Sequence, residues 1–243
     1  MRSYPLVAGL ILSLSGCATS TALQTCTTEF PGAICLDLSA AGQLVAQRTL
    51  IEQEVERTLE VVQPLLNVTG LRIALIDDPV QVIPEVGMGG FNPSTDEVRL
   101  YADASAPDLE AVLRSELLLQ LAHEMHHAMR RRAVGYGATL LEAAVTEGLA
   151  DHFSLEISGA AERPWAVALT PAELATWIPQ VESRASGGYD HARWFFGTDP
   201  SIPRWTGYAV GFELVRAYLQ KNPEGRASAS VGEPASSFVP YSP

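Results

Sequence analysis

The run His123-Glu124-Met125-His126-His127 constrains this chain more than any other feature. It lies late in an apolar-periodic stretch that Pro107-Asp108 opens and Gly135 and Gly137 close, so the spacing predicts a long helix ending near Arg132. On a helix, His123 and His127 stand at i and i+4 and project from one face. Two imidazoles so placed, with Glu124 one residue beyond the first, form the HExxH arrangement. It offers a zinc ion two neutral nitrogen ligands and a carboxylate able to hold a water. Five residues alone are a weak signal, and the reading needs a third ligand.

A second helical pattern, from Ala138 to about Ser158, supplies one. In "TLLEAAVTEGLADHF", Glu147 and Asp151 again stand at i and i+4, on a helix otherwise full of Leu, Ala and Val. Buried carboxylates are costly unless paired or metal-bound. Glu147 completes a His₂Glu set, and Asp151 is placed to accept the outer N–H of His123 and fix its tautomer. Glu142 competes as a ligand but has no acidic residue one turn later.

Together these motifs resemble the gluzincins. They resemble more closely a peptidase-MA-like bacterial family of Zn-dependent proteases, itself named by prediction and catalogued as a domain of unknown function. That family's metal-binding helix, "LLEAxxxEGLADHF", "YDHARWFFG" and "PRWTGYxxG" all have counterparts between about Leu117 and Leu219. The resemblance implies a helix-rich α+β, zincin-like fold, with a small sheet packed on the HExxH helix and a mostly helical C-terminal part. It implies Zn²⁺ as cofactor and peptide hydrolysis as activity, but names no substrate. With Glu124 as general base, an oxyanion donor is also required. Tyr208, His191 and Arg204 lie in the family-like C-terminal motifs. Tyr208 is the first choice, because it opens a helix after a loop and carries a hydroxyl; a packed aromatic is the ordinary alternative.

Other residues invite plainer readings. His126 points about 100° from the ligand face and reads as a surface or outer-sphere histidine. His152 is not expected to be a ligand. Arg130, Arg131 and Arg132 suit a helix C-terminus and receive no site. Trp194, Phe195, Phe196 and Trp205 read as core, with a cleft lining as the alternative.

Elsewhere, residues 43–66 carry a helical apolar period and "LRIALI" reads as a buried strand. Two short strand-like runs flank the turn at 92–96. Gly89, Gly90 and Phe91 fall on an edge strand, where by analogy with zincins an extended substrate pairs. Residues 17–40 read as a tether and lead-in loop, 41–222 as the metallopeptidase domain and 223–243 as a disordered tail.

Residues 1–16 read as a signal peptide, with Arg2 before the apolar run Leu6 to Leu14. "LSGC" resembles a bacterial lipobox and makes Cys17 the lipidated residue, an ordinary secretory signal being the alternative. The resemblance implies a lipoprotein in the outer membrane facing the periplasm, membrane-anchored only through its N-terminal lipid. Cys26 and Cys35 then form an even pair in an oxidising compartment and are expected as a disulfide, with free thiols less expected there. A net charge of −12 argues against nucleic acid as a partner. The expected partner is a protein or peptide substrate. The competing function is a non-catalytic envelope binding or assembly factor with a structural zinc.

Overall fold

In the computed structural model, residues 25–239 are described, so residues 1–16, which read as a signal peptide, and Cys17 lie outside the described residues. A mixed five-stranded sheet holds β1 (Thr28–Phe30), β2 (Ile34–Asp37), β3 (Arg72–Asp77), β4 (Met88–Phe91) and β5 (Glu97–Ala102) in the order β1-β2-β3-β5-β4. The β2–β3 and β3–β5 pairs are parallel, and the β1–β2 and β4–β5 pairs antiparallel. β5 buries alternate residues, Val98, Leu100 and Ala102, while Arg99 and Tyr101 project to the other side.

Among the described residues there are five α-helices: α1 (Arg48–Val62), α2 (Leu109–Ala133), α3 (Leu140–Ser158), α4 (Pro171–Glu182) and α5 (Thr206–Lys221). In α1, Leu50, Ile51, Val55, Leu59 and Val62 recur at helical spacing and are buried in the main core. One 3₁₀ turn, Gly42–Gln47, precedes it within the stretch that reads as helix from sequence. α2 packs against α1, β4 and β5 and carries its apolar face through Leu113, Leu117, Leu121 and Met125. α3 starts with a reciprocal cap, Thr139 Oγ1 accepting from Glu142 N while Glu142 accepts from Thr139 N. Glu142 is therefore a capping residue, remote from the ligand role it competes for in sequence. The fold is zincin-like: helix-rich, with a small sheet on the HExxH helix.

α3 and α5 cross almost backbone to backbone. A Cβ on Gly148 would lie 2.2 Å from the Gly211 carbonyl oxygen, and one on Gly211 1.9 Å from the Ala144 carbonyl oxygen. Only glycine at both positions permits this approach, which fixes Glu147, the neighbour of Gly148, relative to Tyr208.

Two regions differ from the sequence expectation. Within 17–40, which reads as a tether, β1 and β2 join the sheet, with Ile34 and Leu36 buried and Cys26 and Cys35 disulfide-bonded. The Thr-rich composition conceals them because these strands are only three and four residues long. The tail, which reads as disordered, packs as far as Val239: Ala227, Ala235 and Phe238 are buried. Its carbonyls also satisfy buried donors. Arg130 NH1 donates to Val231 O and Glu233 O, and His126 Nε2 lies 3.3 Å from Ala227 O. His126 is thus buried rather than superficial, and burial lowers its pKa to about 3. Arg130 is likewise a buried strut, and burial lowers its pKa to about 10, so it stays charged at neutral pH.

At the end of β2, Asp37 accepts from Ser39 N at 2.7 Å and from Arg72 of β3. Burial alone would raise its pKa, but the Ser39 and Arg72 hydrogen bonds prevail and lower it. A carboxylate depressed on folding contributes stability above its unfolded value, about 3.9, and loses it as pH falls through the folded value. Asp37→Asn is expected to cost about 1.5–3 kcal/mol at pH 7. In urea titrations that deficit shrinks as pH falls below about 4, where the unfolded carboxylate takes up its proton before the folded one does.

Candidate metal centre and cleft

α2 and α3 lie side by side and bring His123, His127 and Glu147 together, all buried. His123 Nε2 and His127 Nε2 each lie 3.2 Å from Glu147 Oε2, with the two rings edge-on and 4.5 Å apart. One candidate ligand atom from each residue falls within 4.8 Å of the other two.

Two of the three residues, His123 and Glu147, are backed by another group. His123 Nδ1 lies 3.0 Å from Asp151 Oδ1. Asp151, fully buried one turn after Glu147, also accepts from Trp165 Nε1 at 3.1 and 2.9 Å through its two oxygens. The Tyr136 hydroxyl donates to Glu147 Oε1, leaving Oε2 to face the imidazoles. Tyr136 is held in turn by Thr146 Oγ1, which donates to its carbonyl at 2.7 Å and accepts from Arg130 Nε at 2.9 Å. Sequence reasoning misses Tyr136 and Trp165. Tyr136 sits between two glycines in the α2–α3 turn and Trp165 in the loop before α4, so neither carries a periodic signal.

Burial alone would make the His123 imidazolium and the Glu147 carboxylate costly. Instead, Asp151 and Glu147 raise the His123 pKa well above its ordinary value, and His127 and His123 hold the Glu147 carboxyl well below its own. A cation is therefore favoured between these groups. The donor set suits zinc. Asp151 only accepts when ionised, so the neutral His123 ring carries its proton on Nδ1 and presents the Nε2 lone pair. Two imidazoles and one carboxylate are donor types that a three-residue zinc site would use. Two further buried atoms, Glu124 Oε2 and His127 Nδ1, have no hydrogen-bond partner among the described residues.

The centre forms the floor of a cavity of about 740 Å³ that α2, α3, β4 and the loops preceding α4 and α5 enclose. Glu124 lines it, and burial raises its carboxyl pKa against the opposing pull of His127 and His123. Gly90 of β4 crosses directly over this carboxylate; a Cβ there would lie 2.4 Å from Glu124 Oε1. β4 is an edge of the sheet, and the bridge from Ile83 to Met88 covers its first residue, leaving Gly90 and Phe91 beside the cavity.

Tyr208 and His191 both line the cavity. Burial and the nearby Glu147 charge raise the Tyr208 pKa well above its usual value, so its hydroxyl remains a donor. His191 stacks on Phe195 with centroids 4.2 Å apart, and its Nδ1 lies 3.2 Å from the Tyr189 hydroxyl. Burial lowers its pKa. Arg204 lines the cavity too, engaged with Glu85 at 2.8 Å and 4.0 Å over the Trp205 ring. Of the four aromatics, Trp194 and Phe195 are core, whereas Phe196 and Trp205 line the cavity. His152 stacks on Phe212 away from the centre, with Nε2 3.0 Å from the Phe212 carbonyl.

No curated protein and no solved structure matches the chain. The model of the DUF2268 family, described as "Predicted Zn-dependent protease", matches residues 48–240. That span contains α1 to α5, strands β3 to β5 and every residue of the buried centre, for which zinc is the cofactor. With the match running over most of its length, the chain belongs to this family of predicted Zn-dependent proteases.

Proposed function

We propose that the protein is a gluzincin-type zinc peptidase in which His123, His127 and Glu147 hold the metal and Glu124 is the general base. One observation carries the reading: two imidazole Nε2 atoms converge on one Glu147 oxygen, beside a buried Glu124 carboxylate at the wall of the cavity. Bound zinc supplies Lewis acidity, bringing the pKa of water toward 7 and polarising a carbonyl.

The protein's own groups do the rest. Asp151 keeps the His123 proton on Nδ1, and Trp165 keeps Asp151 in place. Tyr136 occupies Glu147 Oε1 and so orients Oε2 toward the histidines. Glu124 accepts the proton of the attacking water and returns it to the leaving amine. The Tyr208 hydroxyl is the first candidate to donate to the developing oxyanion, with His191 the alternative. Gly90 lets an extended peptide approach Glu124 along the open end of β4. A structural zinc needs ligands but no base, so the buried Glu124 favours catalysis over the binding-factor reading.

The reading extends to a lipid-anchored protein of the bacterial envelope, in the outer membrane and facing the periplasm. The Cys26–Cys35 bond supports an oxidising compartment, and the lipobox at Cys17 supplies the anchor. Among the described residues no helix is long and apolar enough to cross a membrane.

Wild-type protein is expected to cleave a broad peptide library, to stop on chelation and to recover with zinc. Glu124→Gln retains one zinc by atomic absorption but loses about 10²–10⁴-fold in kcat; zinc binding without cleavage by the wild type returns the binding-factor reading. Glu147→Ala loses stoichiometric zinc, while Glu142→Ala keeps it and costs about 1 kcal/mol of stability in urea titration through the lost cap; the reverse pattern overturns the ligand assignment. Metabolic labelling with palmitate is expected to mark the wild type and not Cys17→Ser.

A further inference from the structure

Three arginines line the cavity, and two are already paired: Arg99 with Glu97 at 2.7 Å and Arg204 with Glu85 at 2.8 Å. The third, Arg131, has no carboxylate partner among the described residues. It stands one helical turn beyond His127, on the His123–His127 face of α2, about 6 Å further along the axis. Its position is nonetheless fixed. Nε donates to Asn92 Oδ1 and NH2 to Asn92 O, both at 2.9 Å. Asn92 is itself buried and anchored, its Nδ2 donating to Ser94 O at 2.6 Å and to Glu97 O at 2.7 Å. The guanidinium carbon lies 5.2 Å from the centroid of the Tyr136 ring, whose own centroid is 5.5 Å from that of His127.

A guanidinium has five donors, and Asn92 takes two of the five. The rest, on NH1 and NH2, are the fork that binds a carboxylate end-on. Their place along the edge strand sets the distance. Glu124 lies under Gly90, and Arg131 is bonded to Asn92, two residues on and about 7 Å further along the edge. A peptide extended beside β4, with its scissile bond at Glu124, brings a carboxylate one or two residues away to the guanidinium.

We propose that Arg131 is a specificity-determining residue that binds a substrate carboxylate within two residues of the scissile bond. The inference rests on the peptidase reading for the meaning of "substrate", and it makes acidic or carboxylate-terminated peptides the preferred class. The carboxylate is either a free C-terminus or an Asp or Glu side chain. Both present the same two oxygens to the fork.

The test is calorimetric binding to zinc-loaded full-length Glu124→Gln, which leaves the probes intact. The probes are N-acetyl-Phe-Ala with a free C-terminus, its C-terminal amide, and N-acetyl-Phe-Asp amide. At least one carboxylate probe is expected to bind about 10- to 100-fold tighter than the Ala amide. Adding Arg131→Gln abolishes that difference while the amide affinity stays constant, and Arg131→Lys restores part of it. Preference for the free acid assigns the terminal carboxylate, and preference for the amidated Asp peptide assigns the side chain. Equal binding of all three probes, or an equal loss for all three in Arg131→Gln, overturns the proposal. The probe comparison on the Glu124→Gln protein needs no Arg131 variant, so misfolding of one does not blunt it. Carboxylate-dependent binding without any wild-type cleavage would sink the peptidase reading and leave Arg131 assigned; cleavage without such binding does the reverse.

Discussion

Glu147 has almost no contact with water and lies on a helix whose other buried residues are mostly apolar, so its charge has to be answered locally or α3 does not pack there. The answer comes from two directions. His123 and His127 of α2 meet one carboxylate oxygen, and the Tyr136 hydroxyl meets the other. That arrangement requires α2 and α3 to hold a single register, because a slip of one residue on either helix turns the side chains by about 100°. The remaining architecture preserves this register.

Three packing devices do so. Behind Glu147, the glycine contact between Gly148 and Gly211 admits α5 so closely that the backbones touch. Behind His123, Asp151 and Trp165 form a relay from α3 into the loop before α4. Beneath both helices, Arg130 ties Thr146 to the C-terminal carbonyls. Each is a polar or steric contact rather than added apolar area. Such contacts specify geometry more sharply than a hydrophobic effect that is non-directional.

This division explains what the sequence made legible. The His123, Glu124, His127, Glu147 and Asp151 set could be read because helical spacing is local and every member sits at i, i+1 or i+4 from another. Helices α1, α2 and α3 were visible for the same reason. Tyr136 and Trp165 were invisible, because they reach the centre through a turn and a loop whose course depends on tertiary packing. The C-terminal segment looked disordered because its role lies in backbone carbonyls, which every sequence has. β1 and β2 are too short for alternation to register.

The three consecutive arginines of α2 show how a single bland signal divides once the helix turns. Steps of about 100° send adjacent side chains to different surroundings. Arg130 enters the interior and meets carbonyls of the tail. Arg131 reaches Asn92 at the end of β4. Arg132 crosses to the Thr95 and Thr69 carbonyls, at 2.7 and 3.0 Å, beside the turns that lead into β5 and β3. A favourable helix-end charge, the only meaning visible in sequence, is thus also a three-way clamp on the last turn of α2. Because that clamp grips the edge strand at Asn92, two residues beyond the glycine that crosses Glu124, it fixes the spacing between the candidate base and the Arg131 guanidinium. The same contact that holds the helix therefore scales the cleft.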